Sequence, residues 1–312
     1  MPSSKSPRKG SLQFWPRKRA EKFLPSVNWN SIHSKKILKG FIGYKAGMAS
    51  FAVKDLTPHS MTKDKKIVIP VTILECPPLK ILSVRFYKNG KVGTEVLGDN
   101  LEKELKRKVK LPKQTKKIEN VKNEDYDDLR LIVYSIVKKT GIKKTPDISE
   151  IGLNGTYDEK LKFAKENLGK EISVLNHFEK SELIDLRGLT TGRGLQGPVK
   201  RFGITLKAHK SEKGVRRPGS LGPWHPARVT FRVPMAGQVG LFTRIVYNSK
   251  IVDMGKDEKR FKNLKNYGNV NSEYILVRGS VQGPVKRQLL LTHALRETKK
   301  QKKKEYELIE LR

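Results

Sequence analysis

The chain has 312 residues, with 66 Lys and Arg against 31 Asp and Glu, giving a formal net charge of +35 beside a hydrophobic share of 36%. That share sustains a core, which excludes global disorder, and the length allows one large or two smaller domains. A compact fold at this charge repels itself unless counter-charge arrives, so a polyanion is expected as partner, nucleic acid before an anionic membrane.

No run of about 20 apolar residues exists to span a bilayer, and the basic start MPSSKSPRKGSLQFWPRKRA lacks the apolar region of a secretory signal. Cys76 is the only cysteine, so internal disulfides and Cys-rich metal sites are excluded, and its strand-like setting VTILECPP predicts a small buried hydrophobe. The histidines show no paired ligand spacing, and no metal or cofactor is expected. A reducing cytoplasm fits.

Residues 1–38 read as an extended basic arm without helical or strand period. Arg8, Lys9, Arg17, Lys18 and Arg19, with Lys22, Lys35 and Lys36 further on, alternate with Phe14, Trp15, Phe23 and Trp29. Cations interleaved with aromatics suit phosphate neutralisation plus stacking on bases; the alternative is an arm whose aromatics dock on the protein's own core. From 39 to 99 short strands are expected, with a hairpin at Asn89-Gly90 and bends or bulges at Gly40, Gly43 and Gly47.

Residues 100–170 switch to helical composition. Leu129, Ile132, Val133, Ile136 and Val137 fall at helical spacing, with acids Asp125 to Asp128 before them and Lys138, Lys139 and Gly141 after, so a helix is predicted there, as over YDEKLKFAKENLG. The stretch LKRKVKLPKQTKK also suits RNA contact. Strand signals return over 171–206 and 233–292, and interrupted strands with long insertions predict one barrel assembled from distant segments. Residues 293–312 form a basic, then acidic tail of weak helical character.

Between the later strand blocks, residues 207–232 carry Lys207, Lys210, Lys213, Arg216, Arg217, Arg228 and Arg232 with one acid, Glu212. Its Gly and Pro content prevents a helix or an uninterrupted strand. Trp224, between Pro223 and His225, cannot be buried by such a loop alone, so a polyanion outside the chain is expected to cover it. Gly192-Arg193-Gly194-Leu195-Gln196-Gly197 matches G-x-G-x-x-G, but Pro198 follows and VKRFGITL reads as a strand rather than the helix a dinucleotide site needs. Gln196–Arg201 recurs as Gln282–Arg287. Each copy is read as a barrel corner, to which Lys200, Arg201, Lys286 and Arg287 add two phosphate-contact points. No P-loop, nucleophile elbow or catalytic set is present, so no enzyme and no small-molecule substrate are expected.

GSLQFWPRKRA, GYKAGM at 43–48, GRGLQGPVKRFG, GPWHPARV, MAGQVG and RGSVQGPVKR resemble, in this order, the universal large-subunit ribosomal protein L three family. The arm and the Trp-His-Pro loop are similar to its archaeal and eukaryotic branch, and the length is nearest an archaeal member. The resemblance implies a mainly β fold with an α insertion: a translation-protein type β-barrel on the subunit's solvent side, an extended N-terminal arm and a long central loop running into rRNA. It implies that Trp224 approaches the peptidyl transferase centre and the path of aminoacyl-tRNA accommodation, with rRNA bound early in assembly. Where some eukaryotic members have a histidine in the ascending limb of the loop, this chain has Glu212, so nothing tied to that histidine carries over. Expected partners are large-subunit rRNA and neighbouring ribosomal proteins, with a non-ribosomal nucleic-acid-binding protein as the alternative.

Overall fold

The computed structural model describes residues 7–34, 36–98, 100–112, 118–120, 126–210, 213–257 and 260–311. Among the positions singled out in the sequence, Lys35, 113–117, Asp125 and Glu212 lie outside the described residues. The chain divides into two compact units, Met1–Lys22 with Leu189–Thr243, and Phe23–Gly188 with Arg244–Arg312.

In chain order the elements are β1 (Gly40–Asp55), β2 (Lys66–Cys76), β3 (Leu79–Lys88), β4 (Lys91–Leu97), β5 (Asp128–Ser135), β6 (Ile148–Gly152), α1 (Tyr157–Asn167), β7 (Glu171–Ile172) and β8 (Leu183–Leu189). They continue with β9 (Gly194–Gln196), α2 (Pro198–Phe202), β10 (Gly237–Val239), β11 (Thr243–Gly255), β12 (Glu273–Arg278), β13 (Gln288–His293), α3 (Lys299–Lys302) and β14 (Tyr306–Leu311).

Strands β13, β8, β11, β12, β2 and β1 pair in that order, and β13 pairs again with β1, closing a barrel from segments far apart in sequence. Closure removes the free edges of these strands. Two core clusters pack against the barrel strands: Phe41, Leu74, Ile184, Leu186, Ile275 and Leu290 belong to one, and Phe51, Val71, Ile73, Phe261, Tyr274 and Leu276 to the other. Gly47 sits where the β1–β2 register slips, as its place among the glycines predicted. The Asn89-Gly90 hairpin also forms, with Lys88 opposite Lys91 and both turn residues at positive φ. Cys76 is buried.

A second sheet runs β4-β3-β5-β6, with β7 added to β3. Here the sequence reading is corrected, because the helix expected around Leu129–Val137 is the strand β5 followed by a short 3-10 turn, Val137–Thr140, that Gly141 ends at φ 71°. Leu129, Leu131 and Val133 pack into the main core, whereas Ile132 and Tyr134 pack with Leu82 and Leu105 on the other face. A strand buried on both faces has no polar alternation, so its apolar positions also satisfy a helical spacing. The predicted helix over YDEKLKFAKENLG does form as α1, with Thr156 and Glu159 making a capping box. Tyr44 of β1 donates to Asp147 at 2.6 Å and meets the Ser135 hydroxyl of β5 at 2.7 Å, tying barrel to second sheet.

A second correction concerns the tail. After α3 its last described residues form β14, antiparallel to the far half of β1, with Val53 opposite Leu308 and Phe51 opposite Leu311.

Candidate nucleic-acid interface

The unit that joins the arm to residues 189–243 contains little regular structure. Strands β9 and β10 form one antiparallel ladder, Gly237 opposite Gln196 and Val239 opposite Gly194. Gly240 follows at φ +78°, and a Cβ there would stand 1.9 Å from the Thr191 carbonyl oxygen, so only glycine fits the turn. The arm is held against this ladder by Ala20, whose amide donates to Leu241 O at 3.0 Å.

The third correction falls at Pro198. VKRFGITL does not continue as a strand: Pro198–Phe202 is the helix α2, with proline at its first turn and Gly203 in the left-handed conformation at its end. The G-x-G-x-x-G stretch thus runs through an antiparallel strand into a five-residue helix, without the βαβ unit of a dinucleotide site.

Around Phe202 a small aromatic cluster forms. Trp15 stacks on Phe202 with centroids 6.1 Å apart and meets Phe231 edge-on at 5.5 Å. The Arg17 guanidinium lies 4.3 Å from the Phe202 centroid, a cation–π contact. Of the arm's aromatics, Trp15 therefore packs within the protein, and Trp29 is core at 3% exposure, whereas Phe14 and Phe23 remain exposed. The arm's rings thus divide between packed and exposed positions.

The cations divide as well. Arg201 donates Nε to Gln238 O at 3.1 Å, Nη1 to Met235 O at 3.1 Å and Nη2 to Arg17 O at 3.3 Å. Arg17 returns a bond from Nη1 to Arg201 O at 2.9 Å, and Arg8 donates to Arg232 O at 2.8 Å. Burial lowers the pKa of Arg201, and Lys9, Arg17 and Lys207 are also half-buried. Lys18, Arg19, Lys200, Lys210, Lys213, Arg216, Arg217, His225, Arg228 and Arg232 are exposed, as is Arg8.

From Gly203 to Ala236 the described residues contain no helix or strand, and every residue from Leu221 to Arg232 is exposed. Trp224 is 88% exposed. Sequence reasoning missed Phe231, at once an edge partner of Trp15 and 62% exposed, and the exposed Arg193 inside the glycine motif. Their signals were present: Phe231 precedes Arg232 in a basic loop, and Arg193 is a cation between glycines.

The repeated hexapeptide takes two conformations. In the first copy Gly197 has φ −70° and leads into α2, whereas in the second Gly283 has φ +89°, Lys286 has φ +67°, and a turn leads into β13. Both copies leave lysine exposed and half-bury arginine. Arg287 lies 5.0 Å from the Phe23 centroid, and burial lowers its pKa. The Lys45 ammonium, itself buried, donates to Val281 O at 2.7 Å and Gly283 O at 3.0 Å. The pattern presents Lys200 and Lys286 outward and keeps Arg201 and Arg287 against protein. Among the described residues no cluster of three His, Cys, Asp or Glu side chains could hold a metal ion.

The family profile described as Ribosomal protein L3 matches residues 1–312. The chain belongs to the ribosomal protein L3 family. Large ribosomal subunit protein uL3 of Methanocaldococcus jannaschii is 40% identical over 307 residues, covering 93% of this chain and 91% of the relative. The protein of the same name from Archaeoglobus fulgidus is 39% identical, covering 94% and 93%. That of Picrophilus torridus is 38% identical, covering 94% and 92%. For an L3-family chain the site to explain is the basic arm-and-loop unit, in which Glu21 and Glu212 are the only acids.

Proposed function

We propose that this L3-family chain is a structural, non-catalytic constituent of the cytoplasmic large ribosomal subunit that binds its rRNA through the arm-and-loop unit. The observation that carries the reading is Trp224, 88% exposed in a cation-rich loop that holds no helix or strand among its described residues. A bare indole costs free energy in water, and stacking on a base or ribose removes it from water.

The mechanism is electrostatic and steric. Lys210, Lys213, Arg216, Arg217, Arg228 and Arg232, with Lys18 and Arg19 of the arm and Lys200 and Lys286 at the repeats, replace counterions and let phosphates of separate rRNA strands approach one another. Half-buried Arg17 and Arg201 hold the backbone that presents the cations of the arm and loop. Trp224 and His225 at the loop tip supply stacking and hydrogen bonding beside the peptidyl transferase centre, and early binding of this unit organises rRNA during assembly.

The test is binding to large-subunit rRNA fragments across a salt series. A protein neutralising roughly 6–10 phosphates loses about 10³–10⁵ in affinity between about 50 and 200 mM salt; a flat response would overturn the electrostatic mechanism. Retention on large subunits after a high-salt wash is expected, whereas release to free nucleic acid would favour a non-ribosomal RNA-binding protein.

A further inference from the structure

Strand β14 pairs with β1 on one side, and among the described residues no strand pairs with its other side. Other sheet margins of the same unit are treated differently. Alongside β6, Lys39 donates to Gly152 O at 3.0 Å and Asn154 donates to Ile37 O at 2.7 Å, so the unit's own chain runs beside it. Strand β4 opens on the exposed cation Lys91, a common guard of sheet edges.

The β14 segment is KEYELIEL from Lys304, and from 305 to 311 it holds Glu305, Glu307 and Glu310 with no cation. Glu310 pairs with Lys66 at 3.1 Å. Lysine in place of Glu305 and Glu307, however, would guard the edge without lowering the solubility of a chain of net charge +35, so these two carboxylates are an unexpected choice. Ile309 and Leu311 are 48% and 45% exposed on the same strand, the opposite of an edge made unattractive. The strand is firmly placed. Leu56 donates to Glu305 O at 3.0 Å, Glu305 donates to the Thr57 hydroxyl at 3.2 Å, and Arg278 stacks on Tyr306 with 5.3 Å to the centroid.

We propose that β14 is a docking edge for an extended, Lys/Arg-rich segment of another protein, which adds to the sheet as a further strand. Main-chain pairing supplies affinity independent of sequence, and side chains alternating along the added strand supply selectivity. Ile309 and Leu311 offer apolar contact, while Glu305 and Glu307 select a cationic partner. The same carboxylates repel phosphate, so this surface selects protein over the polyanion that the arm-and-loop unit suits.

The proposal rests on the large-subunit reading only for the choice of sample, native large subunits carrying p-benzoylphenylalanine at Ile309. On irradiation the crosslink is expected in a Lys/Arg-rich extended stretch of another protein. The double substitution Glu305→Lys with Glu307→Lys, both exposed positions, is expected to lower its yield about tenfold by placing like charges together. Amides of 306–311 are expected to exchange at least about tenfold more slowly in the subunit than in the isolated chain. A crosslink to rRNA, no crosslink, a protein crosslink indifferent to charge reversal, or unchanged exchange would each overturn the proposal. Absence of the chain from salt-washed subunits would instead defeat the large-subunit reading.

Discussion

Arg17 and Arg201 bond each other's backbone reciprocally: Arg17 Nη1 donates to the Arg201 carbonyl at 2.9 Å, and Arg201 Nη2 donates to the Arg17 carbonyl at 3.3 Å. The two guanidiniums fix the arm beside α2 through main-chain carbonyls, and two cations held this close favour a nearby polyanion. Gly237 makes room for this, since a Cβ there would lie 2.8 Å from Arg201 Cζ. Replacing Arg201 by lysine keeps the charge and removes the planar fork that serves three carbonyls. Arg201→Lys is expected to weaken the arm-and-loop unit by about 2 kcal/mol, read as faster trypsin cleavage after Lys18 and Arg19. Unchanged cleavage would mean that the aromatic cluster alone holds the arm.

Two glycines of the same unit separate strain from crowding. Gly194 has φ +63° and a Cβ added there would meet nothing within 4 Å, whereas Gly240 has φ +78° with the Thr191 carbonyl at 1.9 Å. Gly194→Ala is expected to cost about 1 kcal/mol, the ordinary left-handed penalty. Gly240→Ala adds a backbone collision and is expected to cost about 3 kcal/mol or more. Hydrogen exchange of the β9–β10 amides measures both, and equal effects would place Gly240 in a looser turn than the one described.

Trp224 touches no core cluster, so Trp224→Ala is expected to change the stability of the isolated protein by less than about 0.5 kcal/mol. In assembled subunits the same substitution is expected to alter tRNA accommodation or the response to drugs at the catalytic centre. A clear fall in Tm of the isolated chain would show that the indole belongs to its own fold.

Acid stability depends on His177. Burial pushes its pKa down to about 3 from 6.5, and His293 and Lys36 add to the effect. The unfolded chain therefore takes up a proton below pH 6.5 that the folded chain refuses until about pH 3. Stability falls with acidification across that window. His177→Gln removes this proton uptake, so Tm plotted against pH is expected to fall less steeply there than in the parent chain; parallel curves would assign the acid loss to other groups.

The strands were legible where strong signals bound them: the glycines of β1 in the barrel, and Asn89-Gly90 between β3 and β4 in the second sheet. β5 was not, because Leu129–Ser135 is buried on two faces and its apolar spacing fits either period. The repeated hexapeptide marks another limit. Six identical residues become a helix in one place and a turn in the other, since the ladder before Gly197 and the Lys45 ammonium behind Gly283 impose different backbones. At the interface the cationic stretches and Trp224 were visible from composition, but which arginines turn inward was not. That depends on carbonyls more than 180 residues away, such as that of Arg201 for Arg17, at a separation of 184.

That separation also orders events during synthesis. At about 5–20 residues per second, Arg201 emerges from the ribosome roughly 10–40 s after Arg17 has emerged, and Phe231 later still. Throughout that interval Trp15 and the arm's cations have left the ribosome without their partners. The nascent arm is then a solvated basic peptide, open to chaperones and to any nucleic acid it meets, and completion of residues 189–243 closes that window.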